Sequence, residues 1–310
     1  MQFESPTKTL DGIPQADRFH HRPGMIPELP ADTLAEVVSL ADDLDALLTR
    51  KPRTKATPFD ARRQALLEKH LGRELKTAPE PLTCIGDSNT MFFAGAERLR
   101  FIRYRRSALW KPHWINRGMD LLPCFRVFHV GPATAWKAGD PGSSTRSREK
   151  IEILLKKDVK PGSKVLLSFG EIDCRIHMAK AVIAGGKIDD VVENTAAKFV
   201  KLPQAIAARG FKPIVWGPPQ IIPKDENLSS PTFPFIGSWE LRRDITYSYT
   251  ARLREHCEAA GIPMIALAGK YHEPAVKADI KLFHDGTHLS QRLMPLALDE
   301  LQKAGVLTLS

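Results

Sequence analysis

The feature that most constrains the fold is an alternation, from residue 81 onward, between short apolar runs and longer segments with helical spacing. Apolar runs of this length are typical of buried parallel strands, and the helical crossovers that join such strands are right-handed. The pattern predicts an α/β fold, a three-layer α/β/α sandwich around a five-stranded parallel sheet. The predicted strands are Leu82–Ile85, Phe125–Val130, Val165–Phe169, Pro213–Trp216 and Met264–Leu267.

Three helical segments lie between these runs, near Arg148–Lys157, Asp189–Arg209 and Glu240–Ala260. Gly210 and Gly261 follow the last two segments, where a helix C-cap favours a residue that is free to take positive φ. Pro203 lies inside the second segment, so we expect a kink or break there.

Residues 1–80 differ from the rest of the chain. They begin with a proline-rich arm and continue with apolar residues at three-and-four spacing from Leu34 to Leu48. A second helical pattern runs from about Ala61 to Leu75. We therefore expect two units, a helical N-terminal extension over residues 1–80 and the α/β domain over residues 81–310.

Composition favours a soluble globular protein, because 43% of the residues are hydrophobic and 26% are charged. We expect no membrane span, since the sequence lacks an apolar run of about 20 residues. The first residues lack the basic start and apolar region of a secretory signal, so a cytoplasmic location is expected. The cysteines are scattered without a CxxC pair and are expected to be buried free thiols: Cys84, Cys124, Cys174 and Cys257.

The chain carries a formal net charge of +9. One basic group runs from Arg98 to Lys111 and a second from Arg50 to Lys55. Such a surplus can attract anionic glycans, phosphorylated carriers or nucleic acid, and it can also be a solvated face. The sequence has no nucleic-acid-binding module signature, so no nucleic-acid partner is expected.

Two distant segments carry the residue types of a nucleophilic hydrolase. Ser88 follows the first predicted strand, and Asp285 and His288 lie three residues apart beyond the fifth. A serine hydroxyl is a weak nucleophile near neutral pH unless a neighbouring base takes its proton. A histidine can accept that proton, and an acid can hold its imidazole in the required tautomer. Because ligands bind at the carboxyl ends of strands in open α/β sheets, we expect these side chains to converge.

The segment 84–90, Cys-Ile-Gly-Asp-Ser-Asn-Thr, resembles the first block of the SGNH, or GDSL-like, hydrolase family. The segment 283–290, Phe-His-Asp-Gly-Thr-His-Leu-Ser, resembles the last block of that family. The resemblance covers roughly residues 81–300 and implies a flavodoxin-like fold. It also implies that Ser88 is the nucleophile, His288 the general base and Asp285 its orienting acid. Gly131 matches the second-block glycine, whose backbone N–H would join that of Ser88 in binding the oxyanion.

One position departs from the family pattern. The third block of the family reads Gly-x-Asn-Asp, with the Asn side chain donating to the oxyanion, and this chain has Ile172 in the place of that Asn. Isoleucine cannot donate a hydrogen bond, and loss of one oxyanion donor lowers the rate about 10²–10³-fold. We expect Arg175, two residues beyond Asp173, to supply the missing donor.

Other polar side chains near these segments are expected to contact the substrate, namely Asp87, Asn89, Glu171, Asp173 and His177. Asp87 can instead order its turn. Glu171 and Asp173 can form a paired-carboxylate acid/base site, although an ion pair with Arg175 is favoured. His284 and His288 have the four-residue spacing of metal ligands, but the intervening Gly286 disfavours a helix and a third ligand is not apparent. We expect neither a metal nor a cofactor.

A long proline-rich stretch from Gly217 to Pro234 is a second candidate for contact with substrate. Compact domains rarely contain loops beyond about 12–15 residues without a function. A loop that covers the substrate and a passive insertion are both compatible with it.

These observations favour a serine esterase that cleaves an acyl ester, such as an acetyl ester, of a small molecule or glycan through an acyl-enzyme. An acyltransferase would use the same residues, since it differs in whether water is excluded from the acyl-enzyme. A non-catalytic protein that binds a glycan or a partner is also compatible, and Ile172 favours it.

Overall fold

The structure is a computed structural model, and the residues that it describes are 80–95, 102–106, 114–118, 122, 124–220, 234–270, 282–283 and 287–308. The expected helical extension therefore lies outside the described residues, apart from Glu80. Most of the loop from Gly217 to Pro234 also lies outside them.

The described residues form a mixed seven-stranded sheet in the order β2-β3-β4-β1-β5-β6-β7. Its strands are β1 (Leu82–Gly86), β2 (Ile102–Arg106), β3 (Trp114–Arg117), β4 (Phe125–His129), β5 (Lys164–Ser168), β6 (Lys212–Trp216) and β7 (Met264–Ile265). Strands β4, β1, β5, β6 and β7 are mutually parallel and correspond to the five predicted strands. Strands β2 and β3 extend one edge in antiparallel fashion and were not expected from the sequence.

The parallel strands adopt the flavodoxin-like order. Numbered among themselves along the chain, they lie in the order 2-1-3-4-5, with β1 between β4 and β5. The connections after β1 and β4 thus run to opposite sides of β1, which opens a crevice at the carboxyl ends of these strands. The α/β fold class is confirmed, with two extra strands at the edge.

Helices cover both faces of the sheet. They are α1 (Ala135–Ala138), α2 (Ser147–Lys157), α3 (Ala179–Ile183), α4 (Ile188–Phe199), α5 (Lys201–Ala207), α6 (Trp239–Ala259) and α7 (Met294–Lys303). A 3₁₀ helix (Ser88–Ala94) follows β1, a π-helical turn (Asp173–Met178) precedes α3, and a short 3₁₀ helix (Gln291–Leu293) precedes α7.

Alternation along the strands produces two cores, because successive strand side chains point to opposite faces. Cys84 packs on one face with Phe93 and the α7 residue Leu298. Its neighbour Ile85 packs on the other face with the α2 residue Leu154 and the α6 residue Tyr249. This two-sided burial explains why the parallel strands are continuous apolar runs in the sequence. All four cysteines are buried free thiols, as predicted.

The second predicted helical segment is divided into α4 and α5. The junction is Val200, which caps the end of α4 and the start of α5. It lies three residues before Pro203. A proline inside a helix has no backbone N–H to donate, and its ring clashes with the carbonyl group four residues earlier, so the helix breaks here. Gly210 and Gly261 have φ of 83° and 65°, as expected beyond the ends of helices. No helix among the described residues has the length and apolar character needed to cross a bilayer.

Candidate active site

The turn after β1 places Ser88 at the carboxyl edge of the sheet. The backbone N–H of Asp87 donates to the Ser168 carbonyl at 3.1 Å, which fixes the turn against the end of β5. The Asp87 carboxylate accepts from the Asn89 backbone N–H at 2.8 Å and so caps the 3₁₀ helix that begins at Ser88. Gly86 allows this close approach, because an added Cβ would lie only 2.1 Å from the Ser168 carbonyl oxygen.

The structure brings Ser88 and His288 together across 200 residues of sequence. The Ser88 hydroxyl oxygen lies 2.8 Å from His288 Nε2. The other ring nitrogen, Nδ1, lies 3.1 Å from the Thr287 hydroxyl oxygen. For Nε2 to accept the serine proton, Nδ1 must carry the ring hydrogen. The geometry places the Ser88 hydroxyl within hydrogen-bonding distance of an imidazole nitrogen that can accept its proton.

The C-terminal segment that carries His288 is held to the segment that carries Ser88. Gln291 Nε2 donates to the Phe92 carbonyl at 2.7 Å, which links the C-terminal segment to the 3₁₀ helix after Ser88. The Ser290 backbone N–H donates to the Leu282 carbonyl at 2.8 Å, closing the loop around His288. Asp285 lies outside the described residues, so its predicted role in orienting His288 stays a prediction.

Gly131 lies immediately after β4 in a backbone conformation that favours glycine. Its φ is 109°, where residues with a Cβ are strained. The preceding backbone N–H, that of Val130, donates to the Gly86 carbonyl at 3.0 Å. The peptide that joins Val130 and Gly131 therefore begins beside the turn that carries Ser88.

His129, the last residue of β4, is a buried histidine near this site that the sequence analysis missed. Its Nδ1 lies 3.2 Å from the Asn116 amide nitrogen, which can only donate, so Nδ1 acts as the acceptor. Burial, together with the charge of Lys150 and the neighbouring His288, lowers the pKa of His129 to about 3. His129 is therefore a neutral side chain at physiological pH.

Arg175 is held in a buried ion pair. Its Nε and one terminal nitrogen donate to the two carboxylate oxygens of Glu171, at 2.5 and 3.2 Å. The other terminal nitrogen donates to the Pro234 carbonyl at 2.8 Å, and the guanidinium lies over the Phe235 ring. All three nitrogens thus donate to acceptors of the protein, and the role of Arg175 as the missing oxyanion donor stays a prediction. The Glu171–Arg175 ion pair was the favoured alternative for Glu171 in the sequence.

Asp173 caps a helix and does not pair with Glu171 as an acid/base site. Its carboxylate accepts from the backbone N–H groups of Ala135 and Trp136, at 2.6 and 3.2 Å, at the start of α1. Burial raises the pKa of Asp173 to about 7, although these two hydrogen bonds oppose the rise. Only 1% of its surface is exposed, and its two hydrogen bonds hold the loop after β4; its predicted contact with substrate stays a prediction.

Asp87 and Asn89 are buried beneath Ser88, with 0% and 7% of their surfaces exposed. Burial raises the pKa of Asp87 well above its usual range, and the charges of Glu171 and Asp173 add to the rise. Asp87 Oδ2 and the Asn89 amide have no hydrogen-bond partner among the described residues. Their burial favours a role in shaping the turn over direct contact with substrate.

His177 is a candidate substrate contact that borders a cavity. It is exposed and lines a cavity of about 540 Å³ together with Pro132, Thr134, Thr145 and Asp173. Thr145 also lies beside Gly131, 3.7 Å from the position of an added Cβ. Burial on one side and the charges of Lys180 and Arg175 lower the pKa of His177. The cavity thus adjoins the loop that carries Gly131.

No protein-family model and no curated protein matches this sequence. Solved structures of similar fold include a carbohydrate acetylesterase from Sinorhizobium meliloti, 16% identical over 72% of this chain and 99% of its own, with a TM-score of 0.42. A variant of an acetyl-xylooligosaccharide esterase from Geobacillus is 15% identical over 75% and 97%, with a TM-score of 0.41. An aryl esterase from M. smegmatis is 16% identical over 73% and 99%, with a TM-score of 0.42.

Proposed function

We propose that this protein is a serine esterase of the SGNH type that cleaves a short acyl ester, such as an acetyl ester, of a polar substrate. The observation that carries the proposal is the 2.8 Å distance between the Ser88 hydroxyl oxygen and His288 Nε2. Two residues so far apart in sequence meet at the carboxyl edge of the sheet, next to a positive-φ glycine. A nucleophile, a base and a backbone donor together suit acyl transfer.

In the acylation half of the reaction, Ser88 Oγ attacks the ester carbonyl carbon while His288 Nε2 takes the hydroxyl proton. The carbonyl oxygen becomes an oxyanion, which the backbone N–H groups of Ser88 and Gly131 would bind. The tetrahedral intermediate then collapses, the bond to the alcohol oxygen breaks, and His288 returns the proton to the departing alcohol. An acyl-serine ester remains.

In the deacylation half, water attacks the acyl-serine carbonyl and gives its proton to His288 Nε2. Collapse of the second tetrahedral intermediate releases the carboxylic acid and returns the proton to Ser88. Asp285, the predicted orienting acid, would share the hydrogen bond of His288 Nδ1–H with the Thr287 hydroxyl and favour the imidazolium that develops. An acceptor alcohol in place of water would make the same site an acyltransferase.

The polar character of the substrate is inferred from the cavity beside Gly131. Hydroxyl, amide and imidazole groups contribute to its lining, and they lie beside apolar side chains such as Met178 and Val191; the polar groups belong to Thr134, Ser144, Thr145, His177 and Asn194. Trp136 lines the same cavity and is 39% exposed. Small polar groups with one aromatic ring suit a sugar ring better than a long acyl chain. We therefore propose an acylated carbohydrate as the substrate class.

Labelling with a fluorophosphonate probe tests the proposal. The probe reacts with a serine that a neighbouring base activates, so the wild type should be labelled and Ser88→Ala and His288→Ala should not. Ser163→Ala is the matched serine control, because Ser163 precedes β5 at the opposite end of the sheet. His256→Gln is the histidine control. His256 lies on α6 and contacts Glu193 of α4, so it has no part in the proposed mechanism. Equal labelling of wild type and Ser88→Ala would overturn the proposal.

A panel of p-nitrophenyl esters of increasing acyl length then tests the preference for short chains. We expect acetate to be cleaved with the highest kcat/KM and octanoate poorly. A preference for octanoate would contradict the proposed substrate class and leave the serine mechanism intact.

A second candidate function is a non-catalytic binding protein on the same scaffold. The observation that favours it is Ile172, which is buried and stands where the family has its Asn donor. Such a protein would bind an acylated glycan without turnover and would resist the fluorophosphonate probe. The same labelling experiment therefore separates the two functions.

A further inference from the structure

A lysine is buried on the inner face of helix α2, beside the candidate active site. Lys150 is 4% exposed and belongs to a helix whose Ile151 and Leu154 are part of the core. Its Nζ donates to the Val130 carbonyl oxygen at 2.6 Å. Lysine is rarely buried to this extent, because removing an ammonium group from water is costly. Its position therefore calls for a physical explanation.

The carbonyl that accepts this hydrogen bond and the N–H of Gly131 belong to one peptide group. The described peptide bonds are all trans, and in a trans peptide the C=O and N–H point in opposite directions. Lys150 therefore binds the carbonyl oxygen of a peptide group whose N–H, that of Gly131, points in the opposite direction. An ammonium donor withdraws electron density from the carbonyl oxygen, which makes the N–H of the same amide a stronger donor.

We propose that Lys150 is a positioning residue, which orients and polarises the Gly131 amide so that its N–H binds the oxyanion more tightly. This inference rests on the proposed esterase function and adds a residue outside the serine-histidine pair. It also explains in part how the site can work with Ile172 in place of the Asn donor, because a stronger backbone donor compensates for part of the missing hydrogen bond.

The charged and titratable groups around Lys150 determine whether it carries a positive charge. They are Glu149 and His129. Glu149 on the same helix raises the pKa of Lys150, while burial, the larger effect, lowers it to about 8. His129 from β4 faces Lys150 and is neutral, since burial and the lysine charge lower the pKa of His129 to about 3. The ammonium is therefore mostly protonated at neutral pH and loses its proton as the pH rises through about 8.

Kinetics of p-nitrophenyl acetate hydrolysis test the inference in the full-length chain. For Lys150→Met we expect kcat about tenfold lower with KM within about twofold of wild type, because a weakened donor costs less than the 10²–10³-fold of a missing one. Lys150→Arg keeps the positive charge and should retain most of kcat. Lys156→Met, an exposed lysine on the same helix, is the control and should match wild type.

A boronic acid that forms a tetrahedral adduct with the active serine separates oxyanion binding from general damage to the fold. Its affinity should fall in Lys150→Met by the same factor as kcat/KM, since adduct and transition state use the same donors. A Lys150→Met variant with wild-type kcat and wild-type boronic acid affinity would overturn the inference. Activity of the wild type that persists in Ser88→Ala would overturn the proposed function, and this inference with it.

The pH dependence of kcat in the folded wild type provides the test if Lys150→Met does not fold. We expect kcat to decline above about pH 8 in wild type and to stay level in Lys150→Arg, whose guanidinium keeps its proton. A wild-type profile that stays level to about pH 10, or an identical decline in Lys150→Arg, would contradict the role given to Lys150.

Discussion

Replacing Lys150 by methionine should change how the free energy of unfolding depends on pH. Burial lowers the pKa of this lysine from 10.5 to about 8, a difference of about 2.5 units. At 1.36 kcal/mol per unit, the protonated lysine destabilises the folded state by roughly 3 kcal/mol at neutral pH. Lys150 is 4% exposed, so water screens its charge little.

The sign follows from proton binding. Between about pH 8 and 10.5 the unfolded chain holds the Lys150 proton and the folded chain does not, so stability rises with pH over this window. Below about pH 8 both states hold the proton and the destabilisation is fully present. Methionine has no proton to lose, so Lys150→Met lacks this rise. From pH 7 to about pH 9.5, wild type should gain roughly 2 kcal/mol relative to the variant.

Urea unfolding followed by tryptophan fluorescence measures this difference. Wild type, Lys150→Met and the exposed control Lys156→Met are compared at pH 7 and at about pH 9.5. Loss of the hydrogen bond to the Val130 carbonyl costs about 1–3 kcal/mol at both pH values and cancels in the comparison. Titration of other groups cancels in the same way. Parallel pH dependences for wild type and Lys150→Met would refute the burial of a charged lysine at this position.

Three further predictions concern the residues around the site. Gly131→Ala should lower kcat about tenfold or more with little change in KM, because a Cβ at φ of 109° strains the peptide that presents the proposed oxyanion donor. Steady-state kinetics that match wild type would contradict this. Glu171→Gln should lower the free energy of unfolding in urea by about 3–5 kcal/mol, because it leaves the buried Arg175 without its carboxylate partner. A change below about 1 kcal/mol would be inconsistent with the ion pair. The ¹⁵N resonances of the His129 ring should show a neutral imidazole from about pH 5 to 9, and a titration midpoint above pH 5 would argue against its burial.

The five parallel strands and the three long helices were predictable because burial leaves a direct trace in the sequence. A parallel strand covered on both faces must be apolar along its buried stretch, as at residues 165–167 of β5 and 213–216 of β6. Strands β2 and β3 leave no such trace, since they lie at the edge and one of them, β2, is Ile-Arg-Tyr-Arg-Arg. Arg103 lies over the Trp114 ring and Arg105 pairs with Asp158, so contacts between distant residues stabilise a segment that the sequence presents as a basic cluster.

The serine and histidine of the candidate site were predictable from their placement after strands, and so was the ion pair of Glu171 with Arg175, but the hydrogen bonds of Asp173 were not. Glu171 lies four residues before Arg175, within reach of a local ion pair, whereas the partners of Asp173 are backbone N–H groups of Ala135 and Trp136, distant in sequence, which only the fold brings to it. Lys150 did leave a signal. It lies four residues before Leu154 on the buried face of α2, where an isolated lysine among apolar residues is unusual.

The most direct test of the account is identification of the acyl-enzyme. Wild type mixed rapidly with p-nitrophenyl acetate and quenched in acid should gain the mass of one acetyl group on the peptide that contains Ser88. Ser88→Ala should gain none, and His288→Ala should form the adduct at least about 10³-fold more slowly. Acetylation of a different residue, or turnover in Ser88→Ala at the wild-type rate, would contradict the claim that His288 activates Ser88 as the nucleophile.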